Sequence, residues 1–151
     1  MRINNDGLEI VKKFEGYRSQ PYRCSADVPT IGFGSTYNLD GSRVTMDDAE
    51  IDRDEADALL RFGLRHAENA VARLVKVSLT VDAFSSLVSF VYNVGSGNFS
   101  ASTLRSRLNR KEYIGAANEF WKWRRAGGRI LKGLVNRRKA EKNLFCRTSF
   151  E

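Results

Sequence analysis

From residue 5 to residue 15 the chain reads N-D-G-L-E-I-V-K-K-F-E, with Leu8, Val11 and Phe14 about a helical turn apart and Ile10 beside them. That spacing predicts an amphipathic helix, with Asn5 or Asp6 as its cap and Gly16 as its stop. The pattern then changes. Residues 19 to 35 carry Pro21 and Pro29, which forbid continuous helix, and close with Thr30-Ile-Gly-Phe-Gly34. Ile31 and Phe33 alternate with Gly32 and Gly34, so one face is apolar and the other is bare. A bare face lets another backbone or a ligand come close. Residues 36 to 44 are polar, and Asp40-Gly41 is a turn signal with room for a further hairpin.

Beyond residue 44 the periodicity is helical. Thr45 to Asp48 reads as a helix start, and from about Asp52 to Leu74 apolar residues recur every three or four positions. Thr80 can cap a second core helix running to Tyr92 on a stripe of Phe84, Leu87, Val88 and Val91; Gly95 and Gly97 end it. Residues 102 to 109 predict a short helix capped by Ser102. Another is expected from about Glu112 to Arg125, carrying Phe120, Trp121 and Trp123 and broken by Gly127-Gly128. A last helix begins near Leu134. The order is helix, small β element, then helices only, which is an α+β chain with segregated strands.

Composition narrows the class. A length of 151 residues fits one domain, and 42% hydrophobic with 28% charged residues is ordinary for a globular protein. A formal net charge of +7 favours polyanionic partners, spread over clusters such as Lys122-Trp-Arg124-Arg125 and Arg137-Arg138-Lys139. No nucleic-acid-binding motif accompanies them. Cys24 and Cys146 make neither a disulfide framework nor a metal motif. His66, the single histidine, has no ligand or base partner nearby and reads as a surface or packing residue. No stretch has the length or apolarity of a membrane span or of a signal peptide's core, so synthesis and retention in the cytoplasm are expected.

Chemistry concentrates between Phe14 and Ser35. Glu15 ends the first helix and can act as a general acid in glycoside hydrolysis if its surroundings suit; the plain alternative is a solvated helix-end glutamate. Eight residues separate Glu15 from Cys24, and five separate Cys24 from Thr30. This spacing resembles the catalytic pattern of the phage-type lysozymes, the endolysins: Glu, eight residues, Asp or Cys, five residues, Thr. The words F-E-G-Y-R at 14 to 18, P-T-I-G-F-G at 29 to 34, N-V-G at 93 to 95, W-R-R-A-G-G at 123 to 128 and G-L-V-N-R-R-K-A-E at 133 to 141 are similar to that family too. The likeness covers essentially the whole chain and is nearest the lambdoid-phage branch.

The resemblance implies a lysozyme-like α+β fold across residues 1–151 as one domain: a small N-terminal β-hairpin lobe and a larger helical lobe joined by a long helix. It implies cleavage of the β-1,4 bond between N-acetylmuramic acid and N-acetylglucosamine in peptidoglycan, with no cofactor and no metal. Glu15 would be the general acid, Cys24 would stand where many members have Asp, and Thr30 would hold the attacking water. Arg137 or Arg138 would reach toward the acid. Ser102 and Thr103 are candidates for lining the cleft, with N-capping as the equal alternative, and Arg137 is taken with them as substrate-binding. The implied partners are peptidoglycan and, for release from the host cytoplasm to the wall, a holin. A monomer without stable membrane insertion or nucleic-acid partner is expected.

Two departures matter. A thiol at position 24 is mostly neutral at pH 7 unless stabilised as thiolate, and Arg23 in a strand points the other way. Base, nucleophile and small buried filler all remain open for Cys24. Ser35 stands where many relatives have His. Asp27 reads as a solvated turn residue rather than a substitute carboxylate. A catalytically weak peptidoglycan-binding domain is the reading of another class.

Overall fold

The computed structural model describes residues 1–147. Its elements are α1 (Asn5–Glu15), β1 (Arg18–Arg23), β2 (Pro29–Gly32), α2 (Arg53–Leu74), α3 (Val81–Val94), α4 (Ser96–Ser100), α5 (Thr103–Asn109), α6 (Tyr113–Ala117), a 3₁₀ turn (Phe120–Lys122), β3 (Arg125–Ala126), β4 (Arg129–Ile130) and α7 (Lys132–Cys146). The chain is α+β, as its patterning predicts. Its contacts divide it into two compact units, Val11–His66 and Met1–Ile10 with Ala67 onward.

In the Val11–His66 unit, α1 ends at Glu15 because Gly16 follows with φ +74° and its N–H returns to the Lys12 carbonyl at 3.0 Å. β1 and β2 pair antiparallel, with Tyr22 opposite Thr30 and Arg23 opposite Pro29. The register shifts between Arg18 and Tyr22, the interval that holds Pro21, a residue unable to donate to the ladder. Ile31, Val44 and Leu59 form a core cluster on which Ile51 packs. Asp52 and Glu55 cap α2 reciprocally: the Glu55 N–H donates to Asp52 Oδ1 at 2.8 Å, and the Asp52 N–H donates to Glu55 Oε1 at 3.4 Å. Asp40-Gly41 does sit in a small hairpin, with Tyr37 bridging Arg43.

Thr45 to Asp48 is a turn, not the start of a helix. Asp48 takes the Thr45 N–H at 3.1 Å and the Thr45 hydroxyl at 2.8 Å, and it also accepts from the Asn38 side chain at 3.3 Å. The capping chemistry is present but closes a loop, and α2 uses its own box four residues later. The cap of α1 is likewise shifted: Asn4 Oδ1, rather than Asn5 or Asp6, accepts the Gly7 N–H at 2.9 Å.

In the other unit, Phe90 of α3 is an aromatic hub. Phe120 lies 5.3 Å from it, Trp123 5.6 Å and Phe99 6.2 Å, all near edge-to-face. This packing explains why the helix expected from Glu112 to Arg125 does not form as one piece. Phe120 and Trp123 must both meet Phe90, and a 3₁₀ turn stacks positions three apart on one side. Trp121 is turned outward and is 48% exposed. The Gly127-Gly128 break is a tight hairpin turn with both residues at positive φ, linking β3 to β4. The helix α4 was not evident from the sequence pattern.

Against α3 lies a buried ion network. Glu141 is fully buried; its Oε2 accepts from the Ser89 hydroxyl at 2.6 Å and from Arg137 Nε at 3.2 Å, while Arg138 Nε stands 2.7 Å from Oε1. Burial pushes the Glu141 carboxyl up, and the two guanidiniums oppose that shift. Removing the carboxylate takes a buried counter-charge away from both guanidiniums. Glu141→Ala is therefore expected to destabilise the fold by about 3–5 kcal/mol, against roughly 1 kcal/mol for Ser89→Ala. Urea unfolding of the two variants checks the order, which reverses if the network is dispensable.

Candidate active site

The hairpin between β1 and β2 is closed by a loop of Ser25, Ala26 and Asp27. The Cys24 N–H donates to the Val28 carbonyl at 3.1 Å, and the Asp27 N–H returns to the Cys24 carbonyl at 2.8 Å. Asp27 takes the left-handed conformation, φ 60°, that such a loop requires, and is exposed, as a solvated turn residue should be.

This loop sets the chemistry of Cys24. The backbone N–H groups of Val28 and Ala26 lower the thiol from its ordinary value; burial opposes them, and the Thr30 hydroxyl and the N–H of Cys24 itself add smaller lowering effects. The sequence had suggested that a thiolate here needs a cation. The structure supplies backbone dipoles instead, while the Arg23 guanidinium turns to the Asp27 carbonyl at 3.2 Å. Cys24 is half-buried rather than enclosed in a core.

Thr30 is buried, and its hydroxyl donates to the Val28 carbonyl at 2.8 Å. The hydroxyl has one proton. Turned to Val28, it offers lone pairs to a thiol or a water; turned to the sulfur, it stabilises a thiolate.

Glu15, the last residue of α1, meets the bare face of the Ile31–Gly34 segment. A side-chain carbon on Gly34 would fall 2.8 Å from Glu15 Oε1, and Gly34 itself has φ +86°. Gly32, two residues earlier, faces α2: a carbon there would stand 3.1 Å from the Ala56 Cβ. The bare face is thus used twice, once for a helix and once for a carboxylate. Tyr22, a residue whose role the sequence did not disclose, links the group. Burial raises its phenol, the Glu15 field raises it further, the Arg18 guanidinium stacked 4.5 Å over its ring opposes this, and Cys24 adds to the rise. Glu15, Tyr22, Cys24 and Thr30 therefore belong to one unit, in which Tyr22 feels both Glu15 and Cys24. The amides that face the sulfur carry no sequence signal beyond the five-residue loop length.

The remaining candidates lie in the other unit. The Ser102 hydroxyl donates to the Phe99 carbonyl at 2.7 Å and accepts the Arg105 N–H at 3.1 Å, so it caps α5. Thr103 is exposed beside it. Arg137 is buried, bonded to Glu141 and to the Ser89 carbonyl at 3.1 Å, and Arg138 lies 5.0 Å over the Phe90 ring. Back in the Val11–His66 unit, Ser35 is buried with its hydroxyl unpartnered among the described residues.

The fold is lysozyme-like. It is similar to the structure of the endolysin from Escherichia coli O157:H7 phage FAHEc1, with a TM-score of 0.88, 31% identity, and coverage of 100% of this chain and 97% of that one. The phage lysozyme family model matches residues 12–141, and the chain belongs to that family. The endolysin of Acyrthosiphon pisum secondary endosymbiont phage 1 is 38% identical over 149 residues, 96% of this chain and 98% of the relative. The endolysin of Bacillus phage B103 is 39% identical over 147 residues, and the match spans 96% of this chain but only 54% of that longer relative.

The two cysteines provide a direct test of the loop. Backbone donors lower the Cys24 thiol, whereas burial raises that of Cys146. Alkylation by iodoacetamide, followed by peptide mapping across pH, is expected to reach half-maximal rate at lower pH for Cys24 than for Cys146. The reverse order would contradict the assignment of the loop amides to the sulfur.

Proposed function

We propose that the protein is an endolysin, a muramidase hydrolysing the β-1,4 bond between N-acetylmuramic acid and N-acetylglucosamine in peptidoglycan, with the whole chain working as one muramidase domain. What supports this reading, within one unit of a phage lysozyme family member, is that the Glu15 carboxylate packs against Gly34 and that Tyr22 senses the charges of both Glu15 and Cys24.

Each residue has a proposed role. Glu15 protonates the leaving glycosidic oxygen as general acid. Thr30 holds the water that attacks the anomeric carbon. Cys24, when ionised, takes a proton from that water or offsets the positive charge of the oxocarbenium-like transition state. A water held between acid and base implies inversion at the anomeric carbon; attack by sulfur itself would give a covalent intermediate and retention. Ser102, Thr103 and Arg137 are proposed to favour glycan binding, Thr103 by contact, Ser102 through the helix end it caps and Arg137 indirectly from within the fold. The protein would act as a monomer on the cell wall in the periplasm, reaching it from the host cytoplasm with the help of a holin.

The competing reading, a catalytically weak peptidoglycan-binding domain, is motivated by Cys24 and Ser35. Turbidity clearing of chloroform-treated Gram-negative cells separates the two. Glu15→Gln is expected to lose roughly 10²–10⁴-fold in rate, the usual share of a general acid. Cys24→Asp is expected to stay active, because a carboxylate accepts the same loop donors, and Cys24→Ser to fall well below it. Equal, negligible clearing by the parent protein and Glu15→Gln would favour the binding domain, and full activity in Cys24→Ser would reduce that residue to filler.

Gly34→Ala tests the positioning of the acid. The φ of +86° makes a β-carbon cost about 1–2 kcal/mol in stability. Displacing the carboxylate by even about 1 Å is expected to cost on the order of 10²-fold in rate. Thermal unfolding and clearing rate, measured on the same preparation, check both; a variant that loses stability but no activity would show that Glu15 does not depend on the gap at Gly34.

A further inference from the structure

The segment from Trp121 to Lys132, W-K-W-R-R-A-G-G-R-I-L-K, contains five basic residues and no acidic one. It folds as the 3₁₀ turn, the β3–β4 hairpin and the first residue of α7. Three large apolar side chains on it face solvent: Trp121 at 48%, Ile130 at 50% and Leu131 at 42% exposure. The Arg124 guanidinium lies 4.3 Å over the Trp121 ring. Arg125 stands directly across the ladder from Ile130, so a cation and an apolar side chain share one face of the hairpin. Both Gly127 and Gly128 at the tip are exposed.

Each part of this arrangement has an alternative when taken alone. Scattered exposed apolar residues are common on protein surfaces, and basic residues occur throughout this chain. Here three exposed apolar side chains and five cations, one of which (Lys122) pairs with Glu119 at 2.6 Å, fall within twelve consecutive residues. Trp123 in the same run is committed inward, 5.6 Å from Phe90, so Trp121 is outward by contrast with a neighbour of its own kind. A soluble polyanion would use the cations and leave Ile130 and Leu131 in water. A second protein would be expected to offer acids and an apolar groove together. A bilayer interface matches both halves at once: anionic headgroups for the arginines and Lys132, and the upper acyl region for Trp, Ile and Leu.

We propose that the β3–β4 hairpin, with Trp121 and Lys132, is an interfacial docking surface for anionic phospholipid bilayers, separate from glycan cleavage. It lies on the surface of the bilayer and does not span it. The contact would hold the protein at an anionic membrane.

Large unilamellar vesicles test it with the full chain. One set is phosphatidylcholine with one-third phosphatidylglycerol and the other is phosphatidylcholine alone; neither contains glycan, so the result is independent of muramidase activity. The protein is expected to co-sediment with the anionic vesicles and not with the neutral ones, and its tryptophan emission is expected to shift to shorter wavelength. Trp121→Ala should abolish that shift while Trp123 continues to report the folded core. Arg125→Gln, Arg129→Gln and Lys132→Gln combined should lower partitioning on the order of 100-fold, about fivefold per cation. Ile130→Ser and Leu131→Ser combined should lower it with the charges intact, and thermal unfolding of each variant confirms that it is folded. Absence of binding to the anionic vesicles, or binding that the apolar substitutions leave unchanged and that a soluble sulfated polymer matches, would overturn the proposal. So would partitioning that ignores the charge substitutions.

Discussion

The carboxylate of Glu15 occupies space that any side chain at residue 34 would need. That single exclusion orders much of the Val11–His66 unit. It requires α1 to stop at Glu15, which Gly16 accomplishes, and it requires the segment after β2 to turn with φ +86°, which Gly34 permits. The neighbouring Gly32 allows α2 the same closeness through Ala56. The hairpin is thus held between a helix that packs it and a carboxylate that uses it.

The lowering of the Cys24 thiol comes chiefly from the backbone. Cys24 is lowered by N–H groups of its own loop, the donors that an aspartate at this position would also use. A cysteine here thus presents the loop amides with an acceptor at the place an aspartate would. The Glu141 carboxylate illustrates the opposite strategy: fully buried, it depends on Arg137, Arg138 and the Ser89 hydroxyl to hold its charge. One site draws on local loop geometry, the other on long side chains of α7 meeting a serine hydroxyl of α3.

Most of the architecture could be read from periodicity because helices α1, α2, α3 and α7 bury regular stripes. Caps at Thr80 and Ser102 were legible for the same local reason, and both accept the expected N–H group. The failures occur where tertiary contacts outweigh local preference. The run after Glu112 has helical content, but Phe120 and Trp123 share one partner in Phe90 and the chain shortens its period to reach it. Thr45 to Asp48 carries a helix-start pattern that Asn38 captures for a loop. At the site, the spacing of Glu15, Cys24 and Thr30 was visible in the sequence, but the donors around the sulfur were not, because an amide's direction depends on loop conformation and not on residue type.

The proposal of hydrolysis is tested most directly by the chemistry of the ends it makes. Purified peptidoglycan is digested in water enriched in ¹⁸O, and the released muropeptides are examined by mass spectrometry. Activation of water by Cys24 and Thr30 predicts reducing N-acetylmuramic acid ends carrying one ¹⁸O. Ends in the 1,6-anhydro form, without label, would contradict it, since the sugar's own hydroxyl rather than a held water would then have attacked.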